Sequence, residues 1–336
     1  METLIRQTAA HLRDILREAI RLAPTEKTIV IFDAQSPLAR ILTDGYRLAV
    51  PSATFVDFET MSAAQIFQLI DTCTAGDLVV MIQSTNFRLD EFRIRIELFK
   101  RGLKTIEHMH LDRMPEAQFG TYIDALAYDP SYYRPLGRTL ASRLDGAQAM
   151  TVECDGTTLA YGGPNEATKL NIGDYTGMKN IGGTYPIGEV FTEPKDLRAV
   201  NGEVRIFAYA GDDHLVKIVP PFTAQITDGI LSAPQGPADF QSILERIRED
   251  EEVLVREFGL GMNRAMGKQR PVNDITAFER QLGLHLSLGA KHAMYVKPGL
   301  GRKHGRYHVD VFVDAKRIRV GTETIFEGGA FTVPME

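Results

Sequence analysis

The chain has 336 residues, a formal net charge of −6, and 44% hydrophobic and 24% charged residues. That balance excludes a disordered protein, a collagen-like fibre and a small disulfide scaffold, and it leaves no basic footprint for nucleic acid. The length suits two domains, and the two cysteines, Cys73 and Cys154, sit in no C-x-x-C pair, so each reads as a small apolar side chain in a reducing compartment.

Leu4, Ile5, Leu12, Ile15, Leu16, Ala19 and Ile20 keep a helical period that Pro24 ends. Arg6, Arg13 and Asp14 interrupt any secretory apolar core there, and no window of 18 apolar residues exists. The expectation is a cytoplasmic protein with no membrane partner.

Strands and helices then alternate. Strands are predicted over 27–34, 53–58, 77–83 and 103–110, and helices over 36–48, 62–73 and 89–101, with Ser62 near a cap. Further helices are expected near 115–128 and 136–145. This alternation implies βαβ units and a parallel sheet, so residues 1–149 read as an α/β domain.

From residue 150 the texture changes to a mixed α+β domain, 150–336. Residues 151–163 read as paired antiparallel strands, 171–194 as an ordered Gly/Pro-rich loop, and 237–257 as a helix with a charged face. The end of the chain is strand and turn material.

In the first half, Asp33 ends a strand, but no G-x-G-x-x-G and no Walker lysine follow, so it reads as a cap beside Ser36. Glu107, His108 and His110 end the fourth predicted strand. Alternation would put both histidines on one face if the strand reaches residue 110. Gln83 and Ser84 stand at the rim where α/β sheets place ligands.

The second half concentrates acids and histidines in four short segments. They hold Glu189; Glu257, placed at the end of the 237–257 helix; Glu279, His285 and His292; and His308 with Asp310. Imidazole and carboxylate are ligand types for zinc, manganese, cobalt and iron. The same residues also admit plainer roles: an Asp orienting a His, a solvated Glu, a core histidine.

These segments resemble those of the M29 family of metallopeptidases, the aminopeptidase T-like enzymes. Gly188-Glu189-Val190-Phe191-Thr192-Glu193-Pro194 matches its G-E-V-F-T-x-P segment. Glu257 before Gly259-Leu260-Gly261, His285-Leu286-Ser287-Leu288-Gly289 and His308-Val309-Asp310 match the other three, in order. The resemblance covers about residues 180–312. It implies an aminopeptidase-like amide or peptide hydrolase, a homodimer acting on small peptides. It also implies two divalent ions (Zn, Co or Mn) held by Glu189, Glu257, His285, His308 and Asp310. Glu279 is then either an acid or base beside the ions or a salt-bridge partner for Arg280. The family's tyrosine seven residues after its motif histidine is replaced by His292, with Tyr295 three further on, and either is a candidate to take its part. The basic stretch 297–306 reads as a surface loop or a carboxylate clamp.

The chain also resembles 2,5-dihydroxypyridine dioxygenase-like proteins. That implies one Fe(II) on His285, His308 and Asp310, although Glu257 stands where that group carries a histidine ligand, and Gln83 where it places a histidine base. A metal-binding protein without turnover is the third reading.

Overall fold

A computed structural model describes residues 1–89, 92–292, 294–297, 300 and 305–335. The chain has the expected mixed α/β character and divides into two compact units. One comprises residues 1–131, 173–187 and 272–277, the other 132–172, 188–271 and 278–336. No helix among the described residues is long and apolar enough to cross a membrane.

The first unit is built on five parallel strands. Their order is Gly182–Thr184, Lys104–His108, Leu78–Ile82, Thr28–Phe32 and Thr54–Asp57. Leu78–Ile82 is buried along its whole length, as a central parallel strand covered on both faces must be. Helices Pro37–Ala49, Ala63–Ile70 and Ile94–Lys100 fall in the alternating places the sequence predicts. Ser36 accepts from Ala39 N at 3.1 Å, and Ser62 with Gln65 forms a reciprocal capping box. The N-terminal helix runs Glu2–Asp14 and continues as a wider π turn to Ile20, ending at left-handed Arg21.

Among the described residues the second unit forms a thirteen-stranded sheet whose strands all pair antiparallel. Within it four strands lie side by side: Glu189–Thr192, Val255–Gly261, Gly283–Leu288 and Val309–Val313. Two expectations are corrected here. The 237–257 helix ends at Asp250, and Glu257 belongs to the following strand. The segment 171–194 is not one loop: it follows directly on the strand Lys169–Asn171 and contributes strands at Gly182–Thr184 and Glu189–Thr192.

Candidate metal centre

Each of the four neighbouring strands brings one of the four motif segments. The Val255–Gly261 and Gly283–Leu288 strands are buried at every position, so neither can spend a face on solvent. Gly259 stands opposite His285 in the register. A Cβ on Gly259 would lie 2.1 Å from His285 Cε1, so the imidazole lies over backbone that only glycine leaves open. Between the Val255/Leu288 and Phe258/Leu286 pairs the Val255 strand carries one extra residue. This bulge re-aims Arg256 and Glu257, and Glu257 N is held by Ser287 Oγ at 3.0 Å.

The donor atoms of Glu189, Glu257 and His285 lie within 4.8 Å of one another, and all three residues are buried. His285 Nε2 stands 3.3 Å from Glu189 Oε1 and 3.1 Å from Glu257 Oε1. The other oxygen of Glu257 faces His292 Nε2 at 2.7 Å. Asp310 lies on the adjoining strand and His308 just before it, with His308 Nε2 3.2 Å from Asp310 Oδ1. The rings of His292 and His308 are 5.7 Å apart. His285 Nδ1 is buried without a hydrogen-bond partner, and Asp310 Oδ1, close as it is to His308, receives no well-directed hydrogen bond.

Burial penalises every charge here, and the neighbours decide what survives. Burial alone would raise the Glu257 carboxyl, but hydrogen bonds from His285 and His292 hold it well below the usual carboxylate range. Burial would lower His285, yet Glu189 and Glu257 push it well above the ordinary histidine value. His308 behaves alike: Asp310 outweighs burial and lifts it to about 10. Packed carboxylates thus demand a positive charge between them. A divalent cation answers that demand with the donor types it prefers, oxygen and imidazole, so these residues fit a metal ion.

Glu279 accepts a hydrogen bond from Arg280, whose other terminal nitrogen is 3.3 Å from Glu189 Oε2. Burial first, then the charges of Asp310 and Glu189, raise the Glu279 carboxyl well above its usual range against the pull of Arg280. Tyr295 stacks on His292 at 5.2 Å, but its hydroxyl donates to Ala167 O at 2.7 Å. Of the two candidates for the tyrosine's place, His292 is therefore the one that reaches Glu257.

Glu193 and Arg256 were not singled out from sequence. They form a fully buried, two-pronged ion pair behind Glu257, with His292 Nδ1 3.8 Å from Glu193. The signal was present: Glu193 lies within the quoted motif, and Arg256 immediately precedes Glu257.

The first unit does not assemble a histidine pair. The strand ends at His108, and His110 takes a left-handed φ of 55° and turns to Asp274. Asp33 binds Ser84 N at 2.7 Å and Gln35 N at 3.1 Å, while Ser36 itself caps the helix. Most of the basic stretch 297–306 lies outside the described residues.

No family model matches the chain, and no curated protein matches it in sequence. Two solved structures are similar end to end. One is 2,5-dihydroxypyridine dioxygenase from Pseudomonas putida KT2440, with a TM-score of 0.64 and 13% identity over 98% of each chain. The other is wild-type AmpT from Thermus thermophilus, with a TM-score of 0.59 and 15% identity over 98% of this chain and 99% of that one. The chain shares its fold with both, and this chain carries a buried Glu-Glu-His cluster suited to a metal ion.

Proposed function

We propose that this protein is a metal-dependent amide or peptide hydrolase of aminopeptidase-like action. The observation that carries the proposal is the convergence of Glu189, Glu257 and His285 with their donor atoms within 4.8 Å. Glu257 presents one oxygen to His285 and the other to His292, the posture of a carboxylate that can serve two ions. Glu189, Glu257 and His285, joined by His308 and Asp310, would hold two divalent ions, zinc, cobalt or manganese. When bound, such ions polarise a carbonyl and make a coordinated water acidic near neutral pH.

The chain's own residues supply the rest. An unprotonated amine offers the kind of nitrogen donor such ions would accept, so the favoured bond is the amide beside a free amine, most simply the first peptide bond of a small peptide. Glu279, raised by burial, is suited to take a proton and return it to the leaving amine. Arg280 holds Glu279 and Glu189 in fixed relation. The protein acts on small molecules as a homodimer, with neither nucleic acid nor membrane as a partner.

A mononuclear Fe(II) ring-cleaving site on His285, His308 and Asp310 is the second reading. It is favoured by the fold shared with the dioxygenase and by the His308–Asp310 pairing. The experiment is elemental analysis after loading with Zn, Co or Mn, followed by a panel of amino-acid p-nitroanilides and dipeptides. About two ions per chain with turnover is expected. One iron per chain, with oxygen uptake on a hydroxylated pyridine, selects the second reading. Bound metal with neither activity leaves a metal-binding protein without turnover.

A further inference from the structure

We propose that the first unit carries a binding site of its own, a cavity at the carboxyl end of its parallel sheet that takes a small aromatic carboxamide. Gln83 would donate to the amide oxygen, and His110 would accept from the amide N–H. The proposal does not rest on the hydrolase reading.

The place follows from the register. Met81 stands opposite Glu107, and Glu107 opposite Thr184, so the three form one row across neighbouring strands. The ladder runs one residue further, with Gln83 N on His108 O at 2.9 Å. Side chains two apart along a strand share a face, so Gln83 and Met109 make the next row. Phe87, Ile94 and Arg95 line the same space, a cavity of about 300 Å³. That is the lower end of the range for small-molecule sites, roughly 300–1,000 Å³, and room for a single substituted ring. Open α/β sheets take their ligands at this end of the strands.

The cavity presents one orphan donor and one open acceptor. Gln83 is 2% exposed, and its Nε2 has no hydrogen-bond partner. Its Oε1 accepts from Phe87 N at 2.8 Å, which fixes the two ends of the amide. The orphan is therefore a donor, costly to bury until an acceptor arrives. His110 also lines the cavity. Its Nδ1 is 3.0 Å from Asp274 Oδ1, in a carboxylate that accepts from Arg113 and from Ala277 N as well. Nδ1 thus carries the proton, and in the neutral ring Nε2 is an acceptor that bonds to no described residue. The ring stands on a left-handed backbone with φ 55°, a strain that persists only where the surroundings impose it.

A primary carboxamide offers the matching pair, an acceptor beside a donor. A carboxylate has no donor for His110. The charges of the cavity are already matched, since Arg95 donates to Glu107 and, at 2.8 Å, to Thr184 Oγ1. The Arg95 side chain is 29% exposed, so its remaining N–H groups reach water. Met81, Phe87, Ile94 and Met109 supply the apolar wall for a ring.

The probe is benzamide, titrated by calorimetry into the full chain beside two analogues. Acetophenone keeps the ring and carbonyl and replaces the amide nitrogen with a methyl group, and benzoate replaces the amide with a charge. Benzamide should bind with a Kd of about 1 mM or tighter, and both analogues about tenfold or more weaker. Gln83→Met removes the donor and should weaken benzamide by about tenfold. His110→Asn, a residue that accepts left-handed φ, should bring benzamide and acetophenone within about threefold of each other. Benzamide no tighter than acetophenone, benzoate the tightest of the three, or no benzamide binding up to about 10 mM would each overturn the site. So would an unchanged benzamide affinity in Gln83→Met. The comparison of the three ligands needs no variant, so it decides the matter even where a substitution unfolds the chain.

Discussion

His108 and His285 are both at zero exposure, both in strands, and are opposites electrically. His108 lies between two tyrosines, its Nε2 3.0 Å from Tyr46 Oη and its Nδ1 3.1 Å from Tyr122 Oη. No carboxylate offsets the loss of water, and burial lowers its pKa to about 3. His285 lies between two glutamates and is pushed the other way. Burial alone therefore does not make a buried histidine a functional one. The first unit uses its imidazole as a neutral hydrogen-bonding core group, whereas the second surrounds its imidazole with charge that calls for a cation.

The largest expected effect breaks the second environment. Glu257→Ala removes the one carboxylate that both His285 and His292 contact, along with its charge. Metal content should fall by about one ion per chain or more, and hydrolysis by at least ~10³-fold, with circular dichroism unchanged. Retained metal at full stoichiometry would show that the ions sit elsewhere.

Next comes Glu279. Glu279→Gln keeps the shape and removes the proton carrier. Turnover should drop by roughly 10²–10⁴, and the acidic limb of the pH–rate profile, where this carboxyl takes up its proton, should move. A loss under threefold would assign Glu279 to holding Arg280 alone.

How much of this contrast could be read from sequence depends on the signal each residue leaves. His308 and Asp310 were placed on one face by alternation, and their side chains do meet, although His308 lies just before the strand. The same rule failed for His108 and His110, because it presumed a strand that stops at His108. The Val255–Gly261 strand was hidden for a different reason. It is buried on both faces and so shows no period of two, and the run of Arg248 to Glu252 before it extends the helical pattern of Ala238–Asp250. Glu189 was recognised by its motif, while its four-residue strand was lost among the glycines and prolines of 171–194. The ion pair of Glu193 and Arg256 joins residues 63 apart, which no local pattern reveals.

A smaller effect tests the first environment. His108 takes up its proton only near pH 3 in the folded chain and near its ordinary 6.5 when unfolded. Between those values the unfolded state binds more protons, so stability rises with pH across that window and is lost on acidification. At pH 5 the loss from this group should be about 2 kcal/mol. Denaturant unfolding at pH 7 and pH 5 measures it. His108→Phe should start less stable, since Tyr46 loses its partner, but should lose less on acidification than the parent. An equal loss in both would place the acid sensitivity elsewhere.

The smallest effect separates the two candidates for the tyrosine's part. Tyr295 is bound to the centre through its ring, which stacks on His292, while its hydroxyl is spent on Ala167 O. Tyr295→Phe keeps the ring and deletes that bond. It should cost about 1 kcal/mol of stability and change kcat by less than about threefold. His292→Phe instead removes the nitrogen that faces Glu257 at 2.7 Å and should lower both metal affinity and kcat by about tenfold or more. The two variants make a single comparison. If Tyr295→Phe proves the more damaging in kcat while metal content holds, the hydroxyl must leave Ala167 during turnover, and the tyrosine, displaced by three residues, would have kept the part that His292 is assigned.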